Sequence, residues 1–262
     1  MQYPITKRLR MLAAGIVLLT ALSTLYSFTE GKRLNYYSQQ AINAAWAAHS
    51  AAALISPVPS GTISFFDEKK SLFDSLELDQ FGLSRHVYEL ALKGMTKLRL
   101  LDKVQHNILT IVDFSKPSTT KRLFVIDLDL GQLLFNTWVA HGRNSGQIYA
   151  QNFSNKPRSK KSSLGFYVTG SPYIGSNGYS LKLLGVEPGV NSLAATRGIV
   201  IHGANYVSEN QISSQGYLGR SQGCPAVAPE INDSLIETIK EGSCLFIYHP
   251  TASYIHRSSL LR

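Results

Sequence analysis

Cysteine is nearly missing from this chain: Cys224 and Cys244 are the two that 262 residues contain. That excludes a scaffold built on disulfides and the paired-cysteine spacing of a structural zinc site. No HExxH is present, so the signature of a helix-borne zinc hydrolase is missing too. Acidic residues are few. Asp and Glu total 17 against 26 Lys and Arg, a net charge of +9. Such a balance suits anionic surroundings: nucleic acid, a phospholipid surface or an acidic polymer. Internal repeats and long low-complexity tracts are absent. The hydrophobic fraction of 44% is ample for a sizeable core.

Long apolar runs are also scarce, with one exception at the start, "MQYPITKRLRMLAAGIVLLTALSTLYSF". Lys7, Arg8 and Arg10 precede an uncharged stretch, residues 11–28. This is the pattern of an export signal, cleaved or kept as an inner-membrane anchor. Residues 1–29 are assigned to it. Export to the periplasm or cell envelope argues against nucleic acid as a partner. It also raises a question, because exported cysteines usually pair. Cys244 lies in "SCLFIYH", an apolar run that reads as a buried strand. Cys224 lies in "GRSQGCPAV", a polar turn flanked by Gly223 and Pro225. We therefore expect no disulfide. Cys224 should be accessible and acidic, and Cys244 buried and inert.

Residues 30–82 read as a partly helical linker, broken by Pro57, Pro59 and Gly61. Residues 83–101 form a predicted helix, with Ser84 as N-cap. From about Val104 the period changes to two. "NILTIVDF", "KRLFVIDLD", "GQLLFNTWVA", "GFYVTG", "SLKLLGV", "GIVIHG" and "SCLFIYH" are predicted strands, the second and third joined as a hairpin by "DLGQ". "SPYIGSNGY" reads as turn. One late helix is predicted, residues 229–241, with Pro229 in its first turn and Gly242 after its end. Residues 251–262 read as a tail. The fold class is mostly β, a sandwich or barrel, with a helical N-terminal extension and that single late helix.

A thiol attacks as thiolate and needs a base or cation nearby. Of seven histidines, His49, His86, His106, His249 and His256 fall in the linker, the helix, beside apolar strands or in the tail, where structural roles are the simpler reading. His141 and His202 each end a strand and precede a glycine. His202, 22 positions before Cys224 (224 − 202), is the better base. A strand-end histidine that is merely hydrogen-bonded remains the alternative. Backbone N–H groups around Gly223 could converge as an oxyanion hole. Ser221 could bond the loop, a substrate or its own backbone. Arg220 could stabilise a thiolate or bind a carboxylate. In "HGRNSG", His141 should lie near the cleft, and Arg143 could pair a carboxylate bidentately. The basic loop "NKPRSKK" could face an anionic polymer or simply be solvated.

"VIHGA" followed by "SQGC" resembles the His-Gly and Ser-x-Gly-Cys signature of YkuD-type L,D-transpeptidases. "SSLGFYVTG" resembles that family's Thr-Pro-x-Gly-x-Phe strand. The run from "FSKPSTTKRLFVIDL" through "IVIHGANYVSE" and "GRSQGCPAV" to "GSCLFIYHP" resembles the murein L,D-transpeptidase catalytic domain branch. The resemblance covers roughly residues 83–250. It implies a YkuD-like β catalytic domain and a Cys–His acyl transferase acting on peptidoglycan stem peptides, with no cofactor. Carried over, Cys224 is the nucleophile and His202 its base. The Gly203 carbonyl orients the ring, and the N–H groups of Gly223 and Cys224 form the oxyanion hole. Ser221, Arg220, His141 and Arg143 would then bind substrate. Gln222 stands where the family usually has His, and Ala226 where it usually has Arg or Asn; Arg220 is the candidate replacement. Three alternatives stay open: a carboxypeptidase on the same peptides, an inactive wall-binding homologue, and a zinc amidase using His141, His202 and Cys224.

Overall fold

The computed structural model describes residues 64–262. The predicted export segment, and most of the linker before Ser64, lie outside the described residues. Among the described residues no helix is long and apolar enough to cross a membrane.

Two short helices open this region, α1 (Phe65–Lys70) and α2 (Leu72–Ser75). The Ser64 hydroxyl caps α1 by accepting from the Asp67 N–H. They are not linker, as the sequence reading had it. Phe73 and Leu78 are buried in the main core, and the Tyr88 hydroxyl donates to the Lys69 carbonyl at 2.7 Å. Helix α3 (Arg85–Leu100) starts at Ser84, whose hydroxyl accepts from the Val87 N–H. Its buried stripe, Val87, Tyr88, Ala91, Leu92, Met95 and Leu98, follows the 3.6-residue period.

Eight strands form one sheet: β1 (Ile108–Asp113), β2 (Leu123–Asp127), β3 (Gln132–Thr137), β4 (Gly165–Gly175), β5 (Gly178–Gly185), β6 (Val200–Gly203), β7 (Ala226–Val227) and β8 (Cys244–Tyr248). The order is β3-β2-β1-β8-β4-β5-β6-β7. The β1–β8 and β6–β7 pairs are parallel; the others are antiparallel. β1 and β8 are interior strands of this sheet, and all five residues of β8 are buried. That is why their sequences are nearly unbroken apolar runs rather than alternations. "SPYIGSNGY", read as turn, instead carries β4 onward. Pro172, which has no N–H to give, falls at a register shift between Thr169 and Pro172.

Three helices follow β6, where one was predicted. They are α4 (Glu209–Gln215), α5 (Pro229–Ile239) and α6 (Ala252–Arg257). Residues 251–262 are not a free tail. Tyr254, Leu260 and Leu261 are buried in the core. The Tyr254 and Ser258 hydroxyls donate to the buried Glu187 carboxylate.

The segment that follows the edge strand β3 meets the other edge strand, β7. Ala140, three residues past β3, pairs with Ala226 in β7. This bridge nearly closes the sheet into a barrel. The turn that carries Cys224 lies along that seam.

Candidate active site

Cys224 lies two residues before the start of β7, across Pro225, and β7 runs parallel to β6 with His202 opposite Ala226. The imidazole thus comes from β6 and the thiol from the turn leading into the neighbouring β7, two residues away in register. On its other side the turn is held by the segment after β3. The Arg143 N–H donates to the Ser221 carbonyl at 2.8 Å, and the Ser221 N–H donates to the His141 carbonyl at 3.0 Å.

His202 is buried, at 5% exposure. Its Nδ1 lies 2.9 Å from the Gly203 carbonyl oxygen. A carbonyl can only accept, so Nδ1 carries the proton of the neutral ring. Nε2 is left as an acceptor, the form a general base requires. Cys224 departs from the expectation of an accessible, acidic thiol. It is 8% exposed. Burial pushes its pKa up; a Val200 N–H and the Arg197 guanidinium pull it back down. Its Sγ–H donates to the Gly198 carbonyl at 3.6 Å. Among the described residues no hydrogen bond joins Cys224 to His202. Cys244 is fully buried, and burial drives its thiol far up. Both cysteines are free.

The turn is built by serines. The Ser221 hydroxyl donates to the Cys224 carbonyl at 2.6 Å and accepts the Gly223 N–H at 3.0 Å. Ser221 is therefore a structural staple of the turn rather than a group facing substrate. The Gly223 N–H, expected in an oxyanion hole, is committed to it. The Ser162 hydroxyl donates to the Gly223 carbonyl at 3.1 Å and accepts the Gly142 N–H at 3.0 Å, tying both flanks of the seam together. Gly223 has φ +132°, and a Cβ there would stand 2.9 Å from the Lys161 carbonyl oxygen. Conformation and close approach both demand glycine.

His141 is a correction. It is 1% exposed, with Nδ1 2.8 Å from an Arg122 N–H and Nε2 3.3 Å from the Gly146 carbonyl. Both ring nitrogens are used inside the protein, so none is free for substrate. Burial, and then the Arg122 charge, push its pKa down to about 3. Arg122 is itself fully buried; burial pulls it down to about 9, so it stays charged at neutral pH. Arg143 is exposed, its backbone fixed beside the turn. Arg220 is exposed and donates to the carbonyls of Arg143 and Gly146, at 3.4 and 3.2 Å. It clamps that loop and does not stand in at the thiol.

Two residues were missed by the sequence reading. Arg197 reaches the Cys224 turn from the loop before β6. Tyr206, in the loop after His202, packs its ring over Gly219. Burial, with the Cys224 charge adding, pushes Tyr206 up to about 12. Among the described residues no three His, Cys, Asp or Glu side chains converge as a metal site. The zinc alternative needed His141, His202 and Cys224 together. Concavities of about 510 and 230 Å³ lie elsewhere, lined by neither Cys224 nor His202.

A family model described as the L,D-transpeptidase catalytic domain matches residues 79–248. No curated protein matches the chain. Among solved structures, an L,D-transpeptidase from Mycobacterium smegmatis is 14% identical, with TM-score 0.34, covering 55% of this chain and 59% of that one. One from Mycobacterium tuberculosis H37Rv is 13% identical, with TM-score 0.33 and coverages of 55% and 58%. The helical cell shape determining protein Pgp2 from Campylobacter jejuni is 12% identical, with TM-score 0.36 and coverages of 60% and 54%. The chain thus spans less than two thirds of each of these structures.

Proposed function

Because the chain belongs to the L,D-transpeptidase catalytic domain family, we propose that it transfers acyl groups between peptidoglycan stem peptides through a thioester on Cys224. The observation that carries this reading is the His202 tautomer. Its Nδ1–H is fixed on Gly203, and its basic nitrogen is left free beside the strand that Cys224 leads.

The resting thiol is protonated, since burial raises its pKa. Proton removal must therefore accompany attack. Nε2 of His202 takes the Sγ proton as sulfur adds to the carbonyl carbon of the third stem residue. The oxyanion is met by the N–H of Cys224; the Gly223 N–H is held by Ser221 and does not serve. The C–N bond then breaks, and His202 returns the proton to the departing D-amino acid. An amine of a second stem attacks the thioester, His202 again accepts a proton, and the thiol is regenerated. Arg143, exposed beside the turn, pairs a stem carboxylate. Water in place of the amine gives carboxypeptidation by the same first step. The site would work outside the cytoplasm, delivered there by residues 1–29, with residues 11–28 as the inner-membrane anchor if they are retained.

Purified protein incubated with disaccharide tetrapeptides should show a mass adduct on the peptide holding Cys224. Cross-linked or trimmed muropeptides should follow. Cys224→Ala should abolish both while leaving the circular dichroism unchanged. His202→Ala should slow adduct formation about 10²–10⁴-fold. Full activity in Cys224→Ala would overturn the reading. No adduct and no product from the wild type would favour an inactive wall-binding protein.

A further inference from the structure

Arg197 ends a tight turn just before β6; its N–H donates to the Leu193 carbonyl at 2.9 Å. The side chain is half-buried. One guanidinium nitrogen donates to the Ser154 carbonyl at 2.6 Å and to the Ser163 hydroxyl. The other donates to the Ser159 hydroxyl at 3.2 Å and the Lys161 carbonyl at 2.6 Å. Every one of these acceptors is uncharged, and Arg197 makes no salt bridge among the described residues. Four bonds fix the position of a charge that nothing neutralises.

That charge is aimed at the nucleophile turn. A Cβ built on Gly223 would lie 3.4 Å from the second guanidinium nitrogen and 2.9 Å from the Lys161 carbonyl which that nitrogen holds. Gly223 is bonded to Cys224. The main chain leaving Arg197 reaches the thiol as well, because the next residue, Gly198, supplies the carbonyl that accepts the Sγ–H. The titratable side chains on the neighbouring elements are His202, on β6 opposite Ala226, and Tyr206, in the loop after it.

Resting on the transpeptidase reading above, we propose that Arg197 is the cation that stabilises the Cys224 thiolate as it forms, and that its serine-lined clamp exists to hold that cation at the floor of the nucleophile turn. The ion pair is created only on ionisation. When the proton passes from Sγ to Nε2 of His202, the sulfur becomes the anion that the guanidinium lacks at rest. Arg197 acts through Cys224 and is a positioning residue, since it bonds neither substrate nor reacting atom here. It takes the part that the sequence suggested for Arg220, whose guanidinium is turned to the Arg143 and Gly146 carbonyls instead.

The experiment is the pH profile of Cys224 alkylation by iodoacetamide, read site by site by mass spectrometry, with no peptidoglycan present. Cys244, fully buried, stays unlabelled in the folded protein and reports any unfolded fraction. Arg197→Gln keeps a polar amide donor in the clamp but removes the charge. Its alkylation midpoint should rise by about one unit or more, the usual effect of losing a close opposite charge. Arg197→Lys keeps the charge, with three N–H donors to hold it among the same acceptors in place of the guanidinium's four bonds. Its midpoint should stay within about half a unit of wild type even if the melting temperature falls. Both melting temperatures falling with both midpoints unmoved would mean that Arg197 only straps the loop, and the proposal fails. A midpoint in Arg197→Lys raised by a unit or more would overturn it as well, whether or not Arg197→Gln folds. A wild-type Cys224 that alkylates normally but never forms a stem adduct would instead sink the transpeptidase reading, and leave the charge pairing standing.

Discussion

His141 is a histidine that folding keeps neutral. Buried against the charged Arg122, with Nδ1 accepting from that guanidinium, it cannot take a second proton without breaking the bond. Its folded pKa of about 3 lies below the ordinary 6.5. The unfolded chain therefore binds the proton first. The stabilising contribution is whole above about pH 6.5 and drains away as pH falls from there toward 3. Near pH 5 the loss is about 2 kcal/mol. His141→Gln keeps an acceptor for Arg122 and does not titrate. We expect the melting temperature of the wild type to fall between pH 7 and pH 5, and that of His141→Gln to fall measurably less; equal slopes would refute the assignment. At this scale, the sequence revealed the pair proposed to react but not its supports. Cys224 and His202 stand out because a thiol in a polar turn and an imidazole at a strand end serve packing poorly. Ser162 and Arg197 do not stand out. Their partners are Gly223 at 61 positions and Ser154 at 43, contacts that exist only after the chain has crossed itself. Nearness in sequence pointed to Arg220, and the fold turned that side chain toward another loop.

Helix α3 packs on the sheet through a missing side chain. Gly94 faces Phe166 on β4, which stacks on Phe246 of β8 with ring centroids 4.2 Å apart. A methyl at position 94 would overlap the Phe166 ring. Propensity alone favours alanine over glycine inside a helix by about 1 kcal/mol. Overpacking a close contact costs about 1–3 kcal/mol. The ring cannot yield without disturbing the Phe246 stack, so the second effect wins. Gly94→Ala should lose about 1–2 kcal/mol, lowering the melting temperature by about 3–6 °C; a stabilised variant would show that the helix can shift outward. The elements that sequence revealed are those whose periodicity records one partner: α3, α5 and the apolar central strands. Those it missed have another cause. β7 is two residues long, and it pairs with β6 and with Ala140 only because the sheet curls round. α4 buries no residue, so it carries no apolar stripe to read. α6 was read as tail because a single turn-and-a-half leaves too few positions for a period to show.

Across the whole molecule, the barrel is shut by few bonds. Among the described residues, the backbone bonds between residues 140–143 and 221–226 amount to two at the bridge, of 2.8 and 3.4 Å, and two beside it, of 2.8 and 3.0 Å. The central pairs, by contrast, run five residues in register between β1 and β8. Chain segments 78 (221 − 143) to 86 (226 − 140) positions apart meet at this seam, and the cysteine turn hangs from it. Opening there would release the turn while the apolar centre stays intact, a local excursion cheaper than global unfolding. Catalysis and fold should accordingly part company in denaturant. In a urea titration the alkylation rate and stem-peptide turnover should change at lower urea than the far-ultraviolet circular dichroism. The amides of Ala140, Arg143 and Ser221 should exchange with deuterium well before those of β1 and β8. If activity and ellipticity fell together, the seam would be as firm as the core. A closure that breathes would make loss of the proposed activity an early warning of damage rather than a sign of collapse. A mild stress could then silence it, and removing the stress could restore it without refolding.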